Sequence, residues 1–409
     1  MPADPESAIP ATVLDDGAVV RGARCDDVPA MLAIEADREG DDDAVDLELV
    51  ANTPGGLESM SVVELDRRVV SIATLLDETL RLGGTELPTG QVEMVATARD
   101  AEGRGYVRAL MNRCHTLSKA RGHVVQVMIG IPNFYRQFGY SYSIPMHPWA
   151  TVGKRDPKRP TVDGYSTAAA TASEMADCRA LQEAAQLPFD VSMPHSTDCW
   201  GWLLRHSSSK QALVRDASGS AVAVARVYDD GEGSVDMGEV ASSSAEATQA
   251  LLSHALDAAG PDGAVRVNLR PNVPGLSTST TETERADWYY TRISDPATLL
   301  TAMSPVLLHR LHEAGLDQGE ALISYFRRHV RLAWADGKLT VTPGGPMQAP
   351  VYAGGSGVPE DALGSLLFGS GAESLESRFP DCYLGRQAEL MTVLFPPVSA
   401  DLLTFYLPS

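Results

Sequence analysis

The stretch VATARDAEGRGYVRAL, residues 95–110, runs from an apolar strand-like segment through Glu102-Gly103-Arg104-Gly105 into a helix. A strand that turns through glycine into a helix commits the chain to an α/β unit, and it exposes the amides at the helix start. Such amides point outward unpaired and receive anions. Successive nitrogens from Gly103 to Val107 can surround a diphosphate, with Arg104 and Arg108 nearby as cations. A plain strand–helix connection fits the same spacing. In the helix that follows, Leu110, Cys114 and Leu117 form a buried stripe, Lys119 and Arg121 suit the C-terminal dipole, and Gly122 closes it. Beyond it, VVQVMIG reads as a strand parallel to Met94-Val95-Ala96. A right-handed crossover sets the two strand ends side by side, where ligands commonly sit. Tyr135, in GIPNFYRQFGY, comes directly after that strand. A phenol there can protonate a leaving group such as a thiolate, and a core tyrosine with a satisfied hydroxyl is the alternative.

At 409 residues the chain needs more than one core. Its formal charge of −21, from 33 basic and 54 acidic residues, argues against a nucleic-acid partner. An acidic surface suits cationic small molecules or simply solubility. No apolar run reaches the roughly 18–20 residues of a membrane span, so no membrane partner is expected. The opening MPADPESAIP lacks a basic start and apolar core, so the expected location is the cytoplasm. The five cysteines are scattered without a C-x-x-C pair, which predicts reduced thiols and no thiolate metal site. His309 and His312 share a helix face, but no carboxylate or cysteine accompanies them, and no metal is expected.

Strand-like and helix-like pieces alternate over residues 1–152. GKRDPKRPTVDG, residues 153–164, reads as a linker. Residues 165–286 repeat the same order more weakly: a three-stranded meander, the helix SSAEATQALLSHALDAAG, then a strand. No glycine-bearing loop precedes that helix. From 287 to 409, amphipathic helices surround a hairpin-rich sheet with Asp336-Gly337 as a turn.

The loop and the tyrosine, in this order and separation, resemble the signatures of the GNAT superfamily of acyl-CoA-dependent N-acyltransferases. The family's diphosphate loop, Arg/Gln-x-x-Gly-x-Gly/Ala, corresponds to Glu102-Gly103-Arg104-Gly105-Tyr106-Val107. Its tyrosine four residues before Gly-Tyr corresponds to Tyr135, before Gly139-Tyr140. The whole chain resembles the Eis (enhanced intracellular survival) architecture, and LLFG, FPD and VLFP between Leu366 and Pro396 carry the C-terminal part of that likeness. The implied fold is α+β: two GNAT-like mixed-sheet domains followed by a sterol-carrier-like α/β domain.

The resemblance implies an N-acetyltransferase that uses acetyl-CoA as donor and a small-molecule amine as acceptor. The diphosphate would rest on the amides of Gly103 to Val107, and the pantetheine would pair with Met94, Val95 and Ala96. Tyr135 would protonate the departing thiolate, the terminal carboxylate of Ser409 would be the base, and the protein would be a homo-oligomer, a hexamer. Three features depart from the pattern: Val107 replaces a small residue, the family's usual asparagine before the tyrosine helix is absent, and Glu102 brings a carboxylate that Arg99, Arg104 or Arg108 would have to neutralise. EADREGDDDAVDLEL, from Glu35 to Leu49, reads either as an acidic rim for a polyamine, aminoglycoside or lysine-like acceptor or as a solvated charge run. Trp200, Trp202 and His206 read either as pocket or as core. A non-catalytic binding module and a tailoring enzyme that reuses the scaffold are the competing functional readings.

Overall fold

A computed structural model describes residues 9–152, 162–229, 233–260, 263–276 and 280–404. Most of the expected linker, residues 153–161, and Ser409 lie outside these. Among the described residues the chain is mixed α/β, with helices packed on three sheets.

The largest sheet begins with β1 (Thr12–Val13), β2 (Val19–Gly22), β3 (Met60–Leu65), β4 (Arg68–Leu82) and β5 (Thr85–Thr97), each antiparallel to the next. Asp66 and Arg67 both have positive φ, 50° and 64°, which is the two-residue turn that the twist of a β-hairpin favours. Helices α1 (Val28–Arg38) and α2 (Asp41–Ala51) fill the connection between β2 and β3. Next, α3 (Tyr106–Ala120) crosses from β5 to β6 (Val125–Met128), which is parallel to β5 as the crossover predicts. The sheet ends with β7 (Ser141–Pro145), but Trp288–Arg292 inserts between β6 and β7. Val191–Met193 and Ala400–Leu402 add to the far end of β4.

The second sheet holds β8 (Trp149–Val152), the meander Ser209–Arg215, Ala221–Asp229 and Ser234–Ser242, and Ala264–Asn268. Sheet membership therefore departs from the sequence divisions at β8, Val191–Met193, Trp288–Arg292 and Ala400–Leu402. The third sheet joins Gly319–Ser324, His329–Ala335, Lys338–Gly344 and Ser356–Gly357. Helix Leu363–Phe368 lies flush on β7: a Cβ at Gly364 would come within 2.0 Å of Ser143 Oγ.

A bulge recurs in the first two sheets. In β5, Met94 and Val95 together face Ala73, and Met94 takes φ +51°. In Ser234–Ser242 the same irregularity falls at Glu239, with φ +53°. Each bulged strand pairs with its parallel neighbour only before the bulge: β5 with β6 as far as Gln91, and Ser234–Ser242 with Ala264–Asn268 as far as Met237. Bulges bend a strand and increase its twist, so both pairs splay apart beyond it. The second opening is filled. Arg270 donates to the carbonyl of Val240 at 3.2 Å and ion-pairs with buried Asp401 at 2.6 Å.

Candidate functional site

A cavity of about 1120 Å³ opens where β5 and β6 part, and the second sheet forms its opposite wall through Trp149, Ser209, Tyr228 and Arg266. Met94, Val95 and Tyr135 line it from the first sheet. Among the described residues, β5 bonds beyond Gln91 only to β4, so the edge from Val92 to Ala96 that faces β6 has no described strand neighbour. That leaves a row of main-chain groups open to an extended ligand. Of the three strand residues expected there, Ala96 is buried against Ile72 and does not line the cavity.

Tyr135 sits in a 3-10 turn, Phe134–Phe138, and its ring packs edge-on against Phe134, Tyr140 and Tyr290. Gly130 makes room for that ring, since a Cβ there would lie 2.4 Å from it. Burial, followed by the charge of Glu93, pushes the phenol well above its usual pKa. At neutral pH it is therefore protonated and able to donate.

Gly103 and Gly105 have φ of +75° and +82°, the left-handed region that glycine enters freely, and a Cβ at either would meet open space. The first bond inside α3 runs from Ala109 N to Gly105 O, and no side chain caps this end. The amides of Tyr106, Val107 and Arg108 consequently have no partner within the helix. Arg108 ties this end to the Tyr135 turn: it donates to Gln137 Oε1 at 2.5 Å and lies 5.1 Å from the Phe138 ring centroid. The hydroxyl of Tyr106 is turned to Asp16 at 2.6 Å.

The neutralisation of Glu102 differs from the expectation. Its carboxylate pairs with Arg38, at the end of α1, at 2.7 Å, whereas Arg99 is engaged by Asp37 and Arg108 by Gln137. The departure from the family pattern at 102 thus has a partner supplied by the preceding helix. Trp200 and Trp202 are core residues: Trp200 meets His195 edge-on, and Trp202 donates to Thr53 at 2.6 Å. His206 alone of that trio reaches the cavity, paired with Asp46 at 2.9 Å.

The acidic stretch is helical and its acids divide: Asp37, Asp41 and Glu48 are exposed, as a solvated run would have them, and the others turn towards the cavity. Glu35, Glu39, Asp42, Asp43 and Asp46 all line the cavity. Sequence reasoning missed four further carboxylates of the lining: Asp236, Glu284 and Asp287 at the far wall, and Glu93 next to the bulge. An acid inside the otherwise apolar run QVEMVAT was the signal that pointed to it. Burial pushes Glu35 up to about 8, and Asp43, Glu39 and Asp46 add repulsion. Burial likewise pushes Glu93 up to about 8, opposed by its hydrogen bond from Gln91, and Asp43 up to about 6.

A carboxyl raised in this way keeps, in the folded chain, a proton that the unfolded chain has already lost. Stability therefore falls as pH rises from about 4.5 towards 8. Glu35→Gln keeps the neutral form at every pH. It is expected to raise the melting temperature at pH 8, on the order of 2 °C per kcal/mol of relieved repulsion, and to change it little at pH 4. Thermal melts at both pH values check this, and equal shifts at the two would contradict it.

Among the described residues no cluster of histidine, cysteine and carboxylate groups has metal-binding geometry. No described helix is long and apolar enough to cross a membrane. All five cysteines are unpaired, and four of them are buried.

Residues 21–143 match the family model described as an acetyltransferase (GNAT) domain. No curated protein matches the chain by sequence. Among solved structures, a probable N-acyltransferase from Enterococcus faecalis V583 covers 95% of the chain and 100% of its own at a TM-score of 0.70 and 13% identity. A GCN5-related N-acetyltransferase from Kribbella flavida covers 95% of the chain and 98% of its own, with a TM-score of 0.67 and 16% identity. Eis1 from Mycobacterium abscessus covers 94% and 99% at 0.60 and 16% identity. These likenesses extend the shared fold across nearly the whole chain. Residues 21–143, which hold the bulged strand, the glycine loop and Tyr135, carry the match to the acetyltransferase (GNAT) domain, and the enzyme class it supports is N-acetyltransferase.

Proposed function

We propose that the protein transfers an acyl group, acetyl in the simplest case, from acetyl-CoA to an amine of a small cationic molecule. The observation that carries this reading is one cavity in which an unpaired strand edge, a protonated phenol and a carboxylate cluster meet. The donor's diphosphate would accept hydrogen bonds from the amides of Gly103 to Val107, with Glu102 drawn aside by Arg38 and Arg104 adding charge. Its pantetheine would lie along Met94 and Val95 as an added strand. The bulge turns main-chain groups out of the ladder beside that path, so an amide there can polarise the thioester carbonyl.

A neutral amine attacks that carbon, the carbon–sulfur bond breaks, and Tyr135 gives its proton to the departing thiolate. The carboxylate of Ser409, outside the described residues, is the proposed base. In support of that placing, the last described strand runs beside Val191–Met193, and its Asp401 bonds to His147, a residue that lines the cavity. The acidic wall suits an acceptor with positive charge. The proposal extends to a sterol-carrier-like domain formed by the third sheet with its helices and to a homo-hexamer in the cytoplasm. Light scattering tests the hexamer.

Thiol release from acetyl-CoA with a panel of polyamines and aminoglycosides tests the activity. No release from any of them, together with no acetyl-CoA binding by calorimetry, would end it. Arg38→Ala should leave the Glu102 carboxylate unpaired near the diphosphate. Acetyl-CoA affinity is then expected to fall about 3- to 10-fold, an effect of roughly 1 kcal/mol. The double variant Arg38→Ala/Glu102→Gln should recover it in calorimetric titration, and failure to recover would place the loss elsewhere.

A further inference from the structure

The carboxylates around the cavity are unequally satisfied. Asp46 pairs with His206, and Asp42 accepts from Tyr228 at 2.7 Å and Ser208 at 2.9 Å. Glu35 is different. It is 1% exposed, lines the cavity, and its Oε2 has no hydrogen-bond partner. An unpartnered buried carboxylate oxygen costs free energy, and one that also lines a cavity is placed to meet a bound cation. The groups that surround Glu35 come from several elements. On α1 the nearest ionisable neighbour is Glu39, and Arg38 is committed to Glu102. From α2 it faces Asp43 and Asp46, and from β5 Glu93. From the second sheet, Arg226 lies near buried Glu239, and His206 and Tyr228 are turned to Asp46 and Asp42. Among the described residues no cation is ion-paired with Glu35 itself.

We propose that Glu35, with Asp43 and Glu93, is a counter-ion subsite for a second, non-reacting ammonium group of the acceptor, and that this ammonium displaces a proton from the subsite when it binds. The proposal rests on the acyl-transfer reading for the identity of the acceptor, but the subsite itself binds without a donor. In the empty cavity these crowded acids keep a proton, because burial and mutual repulsion disfavour full ionisation. An incoming ammonium reverses that balance. One carboxyl ionises, its proton passes to the buffer, and the ammonium stays charged against the new carboxylate. The acceptor class is thus a diamine or polyamine, with one amine free to lose its proton and attack and another held. A monoamine offers the cavity only one of these.

Titration calorimetry of the full-length protein, without acyl-CoA, compares 1,4-diaminobutane with n-butylamine. Each is run at pH 7 in phosphate and in Tris, whose ionisation enthalpies differ, so the difference in heat counts the protons released. The diamine is expected to bind about tenfold or more tightly than the monoamine, with up to about one proton released near neutral pH and none above about pH 9. Glu35→Gln should abolish the release and most of the preference, and Asp43→Asn should reduce both. Circular dichroism confirms that the variants remain folded. Equal affinity for the two amines, heat independent of the buffer, or unchanged release in a folded Glu35→Gln protein would overturn the subsite. Because no donor is present, loss of the proton signal leaves the acetyl-CoA reading untouched, and failure of acetyl transfer leaves this result standing.

Discussion

Replacing Tyr135 by phenylalanine is expected to lower the turnover number about 10²- to 10⁴-fold while acetyl-CoA affinity stays within about twofold. The change removes one oxygen and keeps the ring. The ring's edge-on contacts with Phe134, Tyr140 and Tyr290, and its fit over Gly130, are all made by carbon. Packing and donor binding should therefore survive. What is lost is the proton that the phenol holds under burial and beside the Glu93 charge. Thiol release measures turnover and calorimetry measures affinity. If affinity falls as far as turnover, Tyr135 shapes the donor site and is not the acid.

The second large effect is expected at the glycine loop. Gly105→Val places a β-branched residue at φ +82°, where an L-residue is strained by roughly 1–2 kcal/mol or more. Its side chain also enters the open space over the helix start, which meets no protein atom within 4 Å. If that space belongs to a diphosphate, strain and obstruction act together and acetyl-CoA affinity should fall at least about tenfold, since about 1.4 kcal/mol is already tenfold. Gly122→Val is the control. It has φ +77° with equally open surroundings at the other end of α3, so it carries similar strain without touching the donor. Equal loss of affinity in both variants would assign the effect to helix strain.

The loop-and-tyrosine part of the candidate site was legible because it is local. The run from Val95 to Leu110, the crossover to β6 and the position of Tyr135 follow from glycine placement and from the handedness of strand–helix–strand units. The rest depends on chain segments far apart in sequence. Nothing near Glu102 marks Arg38 as its partner, because that pairing is set by how α1 packs beside β5. The insertion of Trp288–Arg292 between β6 and β7 was illegible for the same reason: its pattern says strand but not which sheet. β8 reads as the end of the first unit yet pairs with Ala264–Asn268, so a continuous run of sequence passes from one sheet to the other. Trp200 and Trp202 show the limit of composition, since an aromatic pair beside a histidine fits a pocket or a core equally well. The acidic stretch shows the converse. As sequence it resembles a solvated run, and only the packing of α1 against β4 and β5, with α2 laid on α1, turns part of it inward.

The most direct test of the account is a crystal structure with acetyl-CoA bound. The predicted result has diphosphate oxygens within hydrogen-bonding distance of the amides between Gly103 and Val107, Glu102 still on Arg38, and the thioester between the Met94 bulge and the Tyr135 hydroxyl. A ligand bound elsewhere, or a thioester remote from Tyr135, would contradict it.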